Sequence, residues 1–257
     1  MTIKQSFQYG AFKPADMSFD DFCKRVADIG YEGLELTFRG DDFEPLVEAA
    51  RKHGLTVTAM CGHRTLGEGM NRPDQHDRIV EELHSSIDVA AEHGIPNLIC
   101  FSGNRNEGQS DEQGAEACAR CMKRIAPYAE QKGVTLTMEL LNSKVDHPGY
   151  QCDHTSWGVA MCQQVNSPRV KLLYDVYHMQ IMEGDVIRTL TDNIQWIGHF
   201  HTAGNPGRQD LDEEQELYYP AIARAIAATG YAGFVAHEFR PKAEPFAALE
   251  AAFRQCR

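Results

Sequence analysis

The chain has 257 residues, enough for one domain of barrel size or two small ones. Its formal net charge of -12 argues against nucleic acid as a partner, because phosphate binding needs a basic face. No apolar run approaches the roughly 20 residues of a membrane span, and the opening segment MTIKQSFQYG lacks the apolar core of a signal sequence, so a cytoplasmic protein is expected.

Strand-like and helix-like segments then alternate along the chain. Residues 3–9 read as a first strand. Residues 17–29 read as a helix: Ser18 suits its N-cap, Phe19, Phe22, Val26 and Ile29 form an apolar stripe, and Gly30 closes it. A second strand over 33–38, a second helix over 43–53 closed by Gly54, and a third strand over 55–61 follow. The polar, Gly-rich loop 62–71 carries His63 and Arg64. A long helix is expected over 73–92, a strand over 97–101, and a helix over 110–132 closed by Gly133. A fifth strand spans 134–140, and a fifth helix runs from 153 or 154 to 165. Residues 170–175 are a short apolar run bounded by breakers, as in a buried parallel strand. A short helix over 185–191, a strand over 194–201, a helix over 217–229, a strand over 233–238 and a helix over 245–253 complete the chain.

Eight strand–helix units in this length match a closed (β/α)8 TIM barrel of the α/β class, here a single domain over 1–257. A doubly wound open sheet is the alternative. No G-x-G-x-x-G follows the first strand and no P-loop lysine motif occurs, which argues against nucleotide binding. The eight cysteines are scattered and expected as free buried thiols. Cys118 and Cys121 have redox-like spacing but lie inside a helical pattern. Phe7, Tyr9, Phe38 and Trp196 read as packing residues.

Four successive strands end in ligand-type side chains: Glu139, Asp175, His201 with His199, and Glu238. In a barrel these gather on the rim where strands end and helices begin. Three carboxylates in one partly desolvated cleft repel one another unless a cation neutralises them. With an imidazole added, the set suits one divalent ion such as Mg, Mn, Co or Zn. The lack of thiolates argues against a structural zinc site. His199 and His201 share a strand face. His201 lies nearer the rim and is the ligand, while His199 reads as a hydrogen-bonded core histidine. Asp175 and His178 admit two readings: site residues, or a helix N-cap and a packed imidazole. Arg208, in the loop Thr-Ala-Gly-Asn-Pro-Gly-Arg, can hold a carboxylate in two-pronged fashion or sit on the surface. His63 is a candidate substrate contact from a lid-like loop, with solvated loop residue as the alternative.

ELLN at 139–142 with HPGY at 147–150, YDVYHMQIMEGD at 174–185 and IGHFHTAGNPGR at 197–208 resemble the hydroxypyruvate isomerase family. That family groups with the xylose-isomerase-like barrels, the ketose 3-epimerases and endonuclease IV. The resemblance implies that Glu139, Asp175, His201 and Glu238 bind a divalent metal and that Glu139 and Glu238 exchange protons with the substrate. It also implies that His178 and Arg208 contact substrate oxygens. Hydroxypyruvate isomerases often have Gln where this chain has His201, whereas ketose epimerases have His. The implied activity is a metal-dependent isomerase, an intramolecular oxidoreductase, converting hydroxypyruvate to tartronate semialdehyde or acting on a related short keto acid. A ketose 3-epimerase, a dehydratase, an endonuclease IV-like phosphodiesterase and a non-enzymatic binding barrel are the alternatives. The expected partner is a small-molecule substrate, with no nucleic acid and no membrane, and a homo-oligomer is left open.

Overall fold

The computed structural model describes residues 3–257; residues 1 and 2, the start of the segment read above for a leader, lie outside the described residues. The elements run β1 (Lys4–Phe7), α1 (Phe19–Ile29), β2 (Gly33–Glu35), α2 (Phe43–Lys52), β3 (Thr56–Cys61), α3 (His76–His93), β4 (Asn97–Cys100) and α4 (Asp111–Lys132). Then come β5 (Thr135–Glu139), α5 (Thr155–Val165), β6 (Val170–Asp175), α6 (Val176–Met182), α7 (Val186–Asp192), β7 (Ile197–Thr202), α8 (Tyr219–Ala228), β8 (Phe234–His237) and α9 (Pro245–Gln255). The eight strands form one sheet in the order β1-β8-β7-β6-β5-β4-β3-β2. With parallel pairing and intervening helices, this is the (β/α)8 barrel. Among the described residues no helix is long and apolar enough to cross a membrane.

Two compact units divide the chain, one of Met1–Met60 with Phe200–Arg257 and one of Cys61–His199. In the first, β8 pairs with both β1 and β7, so that His237 lies opposite Phe7 on one side and Thr202 on the other. β2 pairs with β3, with a register shift between Leu34 and Glu35, and a parallel bridge joins Gln8 to Glu35. Its core is aromatic: the Phe7 ring meets Phe12 edge-on at 5.7 Å, and Phe12 meets Phe239 at 5.0 Å. Burying each such ring stabilises the fold by about 1.5–3 kcal/mol. Helix α1 starts where Ser18 accepts from the Asp21 backbone N–H and stops at Gly30, whose φ of 118° a side chain would resist.

In the second unit β4, β5 and β6 form a parallel ladder. Helix α4 opens with a capping box, Ser110 to Gln113, and ends at Gly133. Cys118 and Cys121 lie in that helix, fully buried, and burial pushes the Cys121 thiol up to about 12. Of the eight free cysteines, seven are buried and Cys61 is half-buried.

Three expectations need correction. The long third helix begins as a separate 3-10 turn over Pro73–Gln75. A helix expected only from 185 is preceded by α6, which starts directly after β6. Phe38 does not pack: β2 stops at Glu35, and the ring beyond it is 49% exposed.

Candidate active site

The first unit contributes a chain of charged groups at its strand ends. His201, near the end of β7, is 2% exposed and Glu35, the last residue of β2, is 1% exposed. His201 Nε2 donates to Glu35 Oε2 at 2.9 Å, and Thr58 Oγ1 donates to Glu35 Oε1 at 3.1 Å. The other imidazole nitrogen, Nδ1, lies 3.2 Å from Glu238 Oε2. Glu238 follows β8, where its backbone N–H is held by the Thr202 carbonyl at 2.9 Å. Glu35 thus orients the ring, leaving Nδ1 on the Glu238 side, as carboxylate partners do for metal-binding histidines. Sequence reasoning missed Glu35. The available signal was an acid inside an apolar strand, and the register shift beside it is the kind of bulge that re-aims a side chain near active sites.

Arg208 also belongs to this group. Its Nη2 lies 2.5 Å from Glu238 Oε2. The loop that carries it is tightly built: the Gly204 N–H donates to the Gln209 carbonyl at 2.8 Å, and a Cβ on Gly204 would come within 2.2 Å of the Asp210 carbonyl oxygen. Arg208 itself has φ 54°, and its carbonyl accepts from the Arg240 N–H at 2.9 Å. Its left-handed backbone is therefore pinned from both sides, a local cost that the loop's hydrogen bonds offset.

The second unit supplies Glu139, 6% exposed at the end of β5, and Asp175, 1% exposed at the end of β6. The Glu139 carbonyl accepts from the Tyr150 hydroxyl at 3.0 Å. That hydroxyl in turn accepts from the Ser102 N–H, and burial pushes the phenol's pKa well up, so it stays a donor. Asp175 caps α6, its Oδ1 accepting from the His178 N–H at 3.1 Å, and its Oδ2 lies 3.6 Å from His178 Nε2. The N-cap reading of Asp175 is thus met, and the cap fixes where its carboxylate sits. His178 is fully buried, with Nδ1 2.6 Å from the Asn142 amide nitrogen.

His63 is not a solvated loop residue. It is 2% exposed, its Nε2 accepts from the Phe101 N–H at 2.9 Å, and burial lowers its pKa to about 4. The ring is neutral with its proton on Nδ1, a donor that meets no acceptor among the described residues. Arg64 beside it is exposed, and its backbone N–H donates to Glu82 at 2.9 Å.

Glu139 and Asp175 end neighbouring strands of the second unit, and in the first unit His201 stands beside Glu238, each side chain offering a ligand-type atom. His199 is fully buried. Three hard carboxylate oxygens and one imidazole nitrogen fit a divalent ion and leave positions for a ligand. No thiolate belongs to the set.

Comparisons with known proteins agree with this architecture. A 2-oxo-tetronate isomerase of Cupriavidus necator is 39% identical over 124 residues, covering 48% of this chain and 47% of that protein, so this match spans about half of each. The hydroxypyruvate isomerase of Escherichia coli is 27% identical over 232 residues, 88% of this chain and 89% of its own. The crystal structure of a 3-keto-D-glucoside 4-epimerase from E. coli superposes with a TM-score of 0.81 at 22% identity, covering 100% of this chain and 99% of that one, a likeness of fold. The family model described as xylose isomerase-like TIM barrel matches residues 23–256, and the chain belongs to that family.

Proposed function

We propose that the protein is a metal-dependent isomerase of a short hydroxy keto acid, with hydroxypyruvate and tartronate semialdehyde as the leading pair. The observation that carries this reading is the set of ligand-type side chains at strand ends: Glu139 and Asp175 closing β5 and β6 in one unit, and His201 set between Glu35 and Glu238 in the other. The two relatives named for keto-acid isomerisation support the substrate class.

In such a reaction a proton leaves the hydroxymethyl carbon and a proton reaches the neighbouring keto carbon; the hydroxyl becomes an aldehyde and the ketone an alcohol. Glu139, Asp175, His201 and Glu238 would hold one divalent ion, which supplies Lewis acidity toward the substrate oxygens. Glu139 and Glu238, on β5 and just past β8, are the groups that take and return the proton. Their placement on different strands gives each its own approach to the carbon skeleton. His178 donates to a substrate oxygen, and His63 supplies a further donor through Nδ1. Arg208, beside Glu238, pairs with the substrate carboxylate, for which a guanidinium fork is suited.

A ketose 3-epimerase is the second reading, because it would use the same ligands and the imidazole at 201 is the residue that ketose epimerases carry. Metal-loaded protein offered hydroxypyruvate, 2-oxo-tetronate and a panel of free ketoses, with products read by NMR, separates the two. Turnover of a keto acid supports the first reading. Turnover of ketoses alone transfers the site to the second, and turnover of neither contradicts both.

A further inference from the structure

The segment after β5 is fastened to α6 by more hydrogen bonds than a simple connection needs. Asn142 Oδ1 accepts two backbone N–H groups, from Val145 at 3.0 Å and Asp146 at 2.9 Å. That fixes which end of the amide is oxygen and which is nitrogen. The amide nitrogen then has two protons to place. One goes to Asp146 Oδ2 at 2.6 Å, and the other points at His178 Nδ1, also at 2.6 Å. The Tyr177 hydroxyl donates to the same Asp146 oxygen at 2.8 Å, so the carboxylate is held from two directions. At the far end of α6, Lys144 Nζ donates to the carbonyls of Ile181 at 2.9 Å and Met182 at 3.1 Å. The His178 ring itself stands between His147 and Tyr177, with centroids 5.2 and 5.1 Å away.

An amide N–H can point at an imidazole nitrogen only if that nitrogen presents a lone pair. We propose that Asn142 is a positioning residue that fixes His178 in the tautomer with its proton on Nε2, so that the ring offers a hydrogen-bond donor to a substrate oxygen. The proposal deepens the functional reading above and rests on it for the identity of the acceptor. Asn142 does not itself touch the substrate. The opposite tautomer would turn a lone pair toward Asp175 and toward any substrate oxygen there, and two acceptors repel. Asp146 is exposed at the outer end of this chain of bonds, so its charge stays solvated while its oxygen orients the buried amide. The arrangement needs no charge on the imidazole. It selects between two neutral forms by geometry alone.

The test reads the tautomer directly. Protein labelled with 15N-histidine and treated with EDTA is examined by long-range 15N–1H correlation, and the His178 signals are identified by their loss in His178→Gln. The parent should show a single neutral form protonated at Nε2. A proton on Nδ1, or a mixture of the two forms, overturns the proposal. In Asn142→Asp the group facing Nδ1 becomes an acceptor and should draw the proton to Nδ1. The same variant, with its metal content unchanged, should lose on the order of 10²-fold or more in kcat/KM, as inverting a catalytic histidine's tautomer does elsewhere. A ring that keeps its Nε2 proton in Asn142→Asp contradicts the assignment. Should that variant fail to fold, Asn142→Ala removes the donor and should release both tautomers; a pure Nε2 form in it would equally contradict the assignment. An Nε2 proton in the parent supports the assignment even if no keto acid is turned over, in which case it is the functional reading that fails.

Discussion

Glu35→Gln is the substitution that isolates orientation from ligation. Glu35 is 1% exposed, so its replacement by an isosteric amide leaves the packing intact and removes one buried charge. The carboxylate now accepts from His201 Nε2 at 2.9 Å and from Thr58 at 3.1 Å. Gln retains one acceptor oxygen, so the loss is the difference between a charged hydrogen bond, about 1.5–3 kcal/mol, and a neutral one, about 0.5–1.5 kcal/mol. Roughly 1–2 kcal/mol of the preference for the ring orientation that sets Nδ1 toward the ligands is therefore removed. That corresponds to a metal affinity about 5- to 30-fold weaker, overlapping the lower end of the roughly 10–100-fold loss typical for removing the partner of a metal-bound histidine. The assay is calorimetric titration of EDTA-stripped parent and variant with manganese, with circular dichroism confirming that both are folded. A variant that binds as tightly as the parent would refute the reasoning: Glu35 would then be a structural acid, and His201 would not depend on it for its aim.

Three further outcomes are expected. Asp175→Asn and Glu238→Gln should each lower the metal content of purified protein, read by elemental analysis; unchanged content in both would remove these residues from the ligand set. Arg208→Ala should raise KM for carboxylate-bearing substrates by an amount worth roughly 1.5–3 kcal/mol and affect neutral sugars less, and equal effects on both would place Arg208 outside substrate recognition. Burial lowers the pKa of His63 to about 4 and of His237 to about 3, against about 6.5 in an unfolded chain. The unfolded state therefore binds more protons below 6.5, so the stability these neutral rings lend is whole above that pH and is lost as pH falls toward 4 and 3. At pH 5 each should remove about 2 kcal/mol relative to pH 7.5 in denaturant unfolding, and His237→Gln should flatten the dependence; a flat profile in the parent would contradict the neutral assignment.

The order of elements was legible because strand-like runs, helical stripes and caps coincide. Ser18, Ser110, Gly30 and Gly133 sit at helix ends, where their local chemistry puts them. The acids at 139 and 175 were readable as strand-end residues because each closes a short apolar run, and Glu238 falls just past β8 for the same reason. What escaped depends on distant or ambiguous partners. Glu35 finds His201 166 residues away, and no local pattern announces that pair. Helix α6 is a seven-residue segment whose one start signal is Asp175, a residue equally suited to a ligand role. His63 is held by Phe101, just past the next strand, whose backbone N–H donates to the ring and whose own ring meets it edge-on. Phe38 reads as packing only if β2 runs past Glu35, where the strand in fact ends.

The central claim is that Glu139 and Glu238 move a proton at a metal-bearing rim. Its most direct test is uptake of solvent deuterium at the hydroxymethyl carbon of hydroxypyruvate, followed by NMR with metal-loaded parent, Glu139→Gln and Glu238→Gln, and with metal content measured in each sample. The parent should incorporate deuterium during isomerisation, and each variant should do so at least about 10²-fold more slowly while still holding metal. A metal-loaded variant of either residue that exchanges at the parent rate would contradict the account.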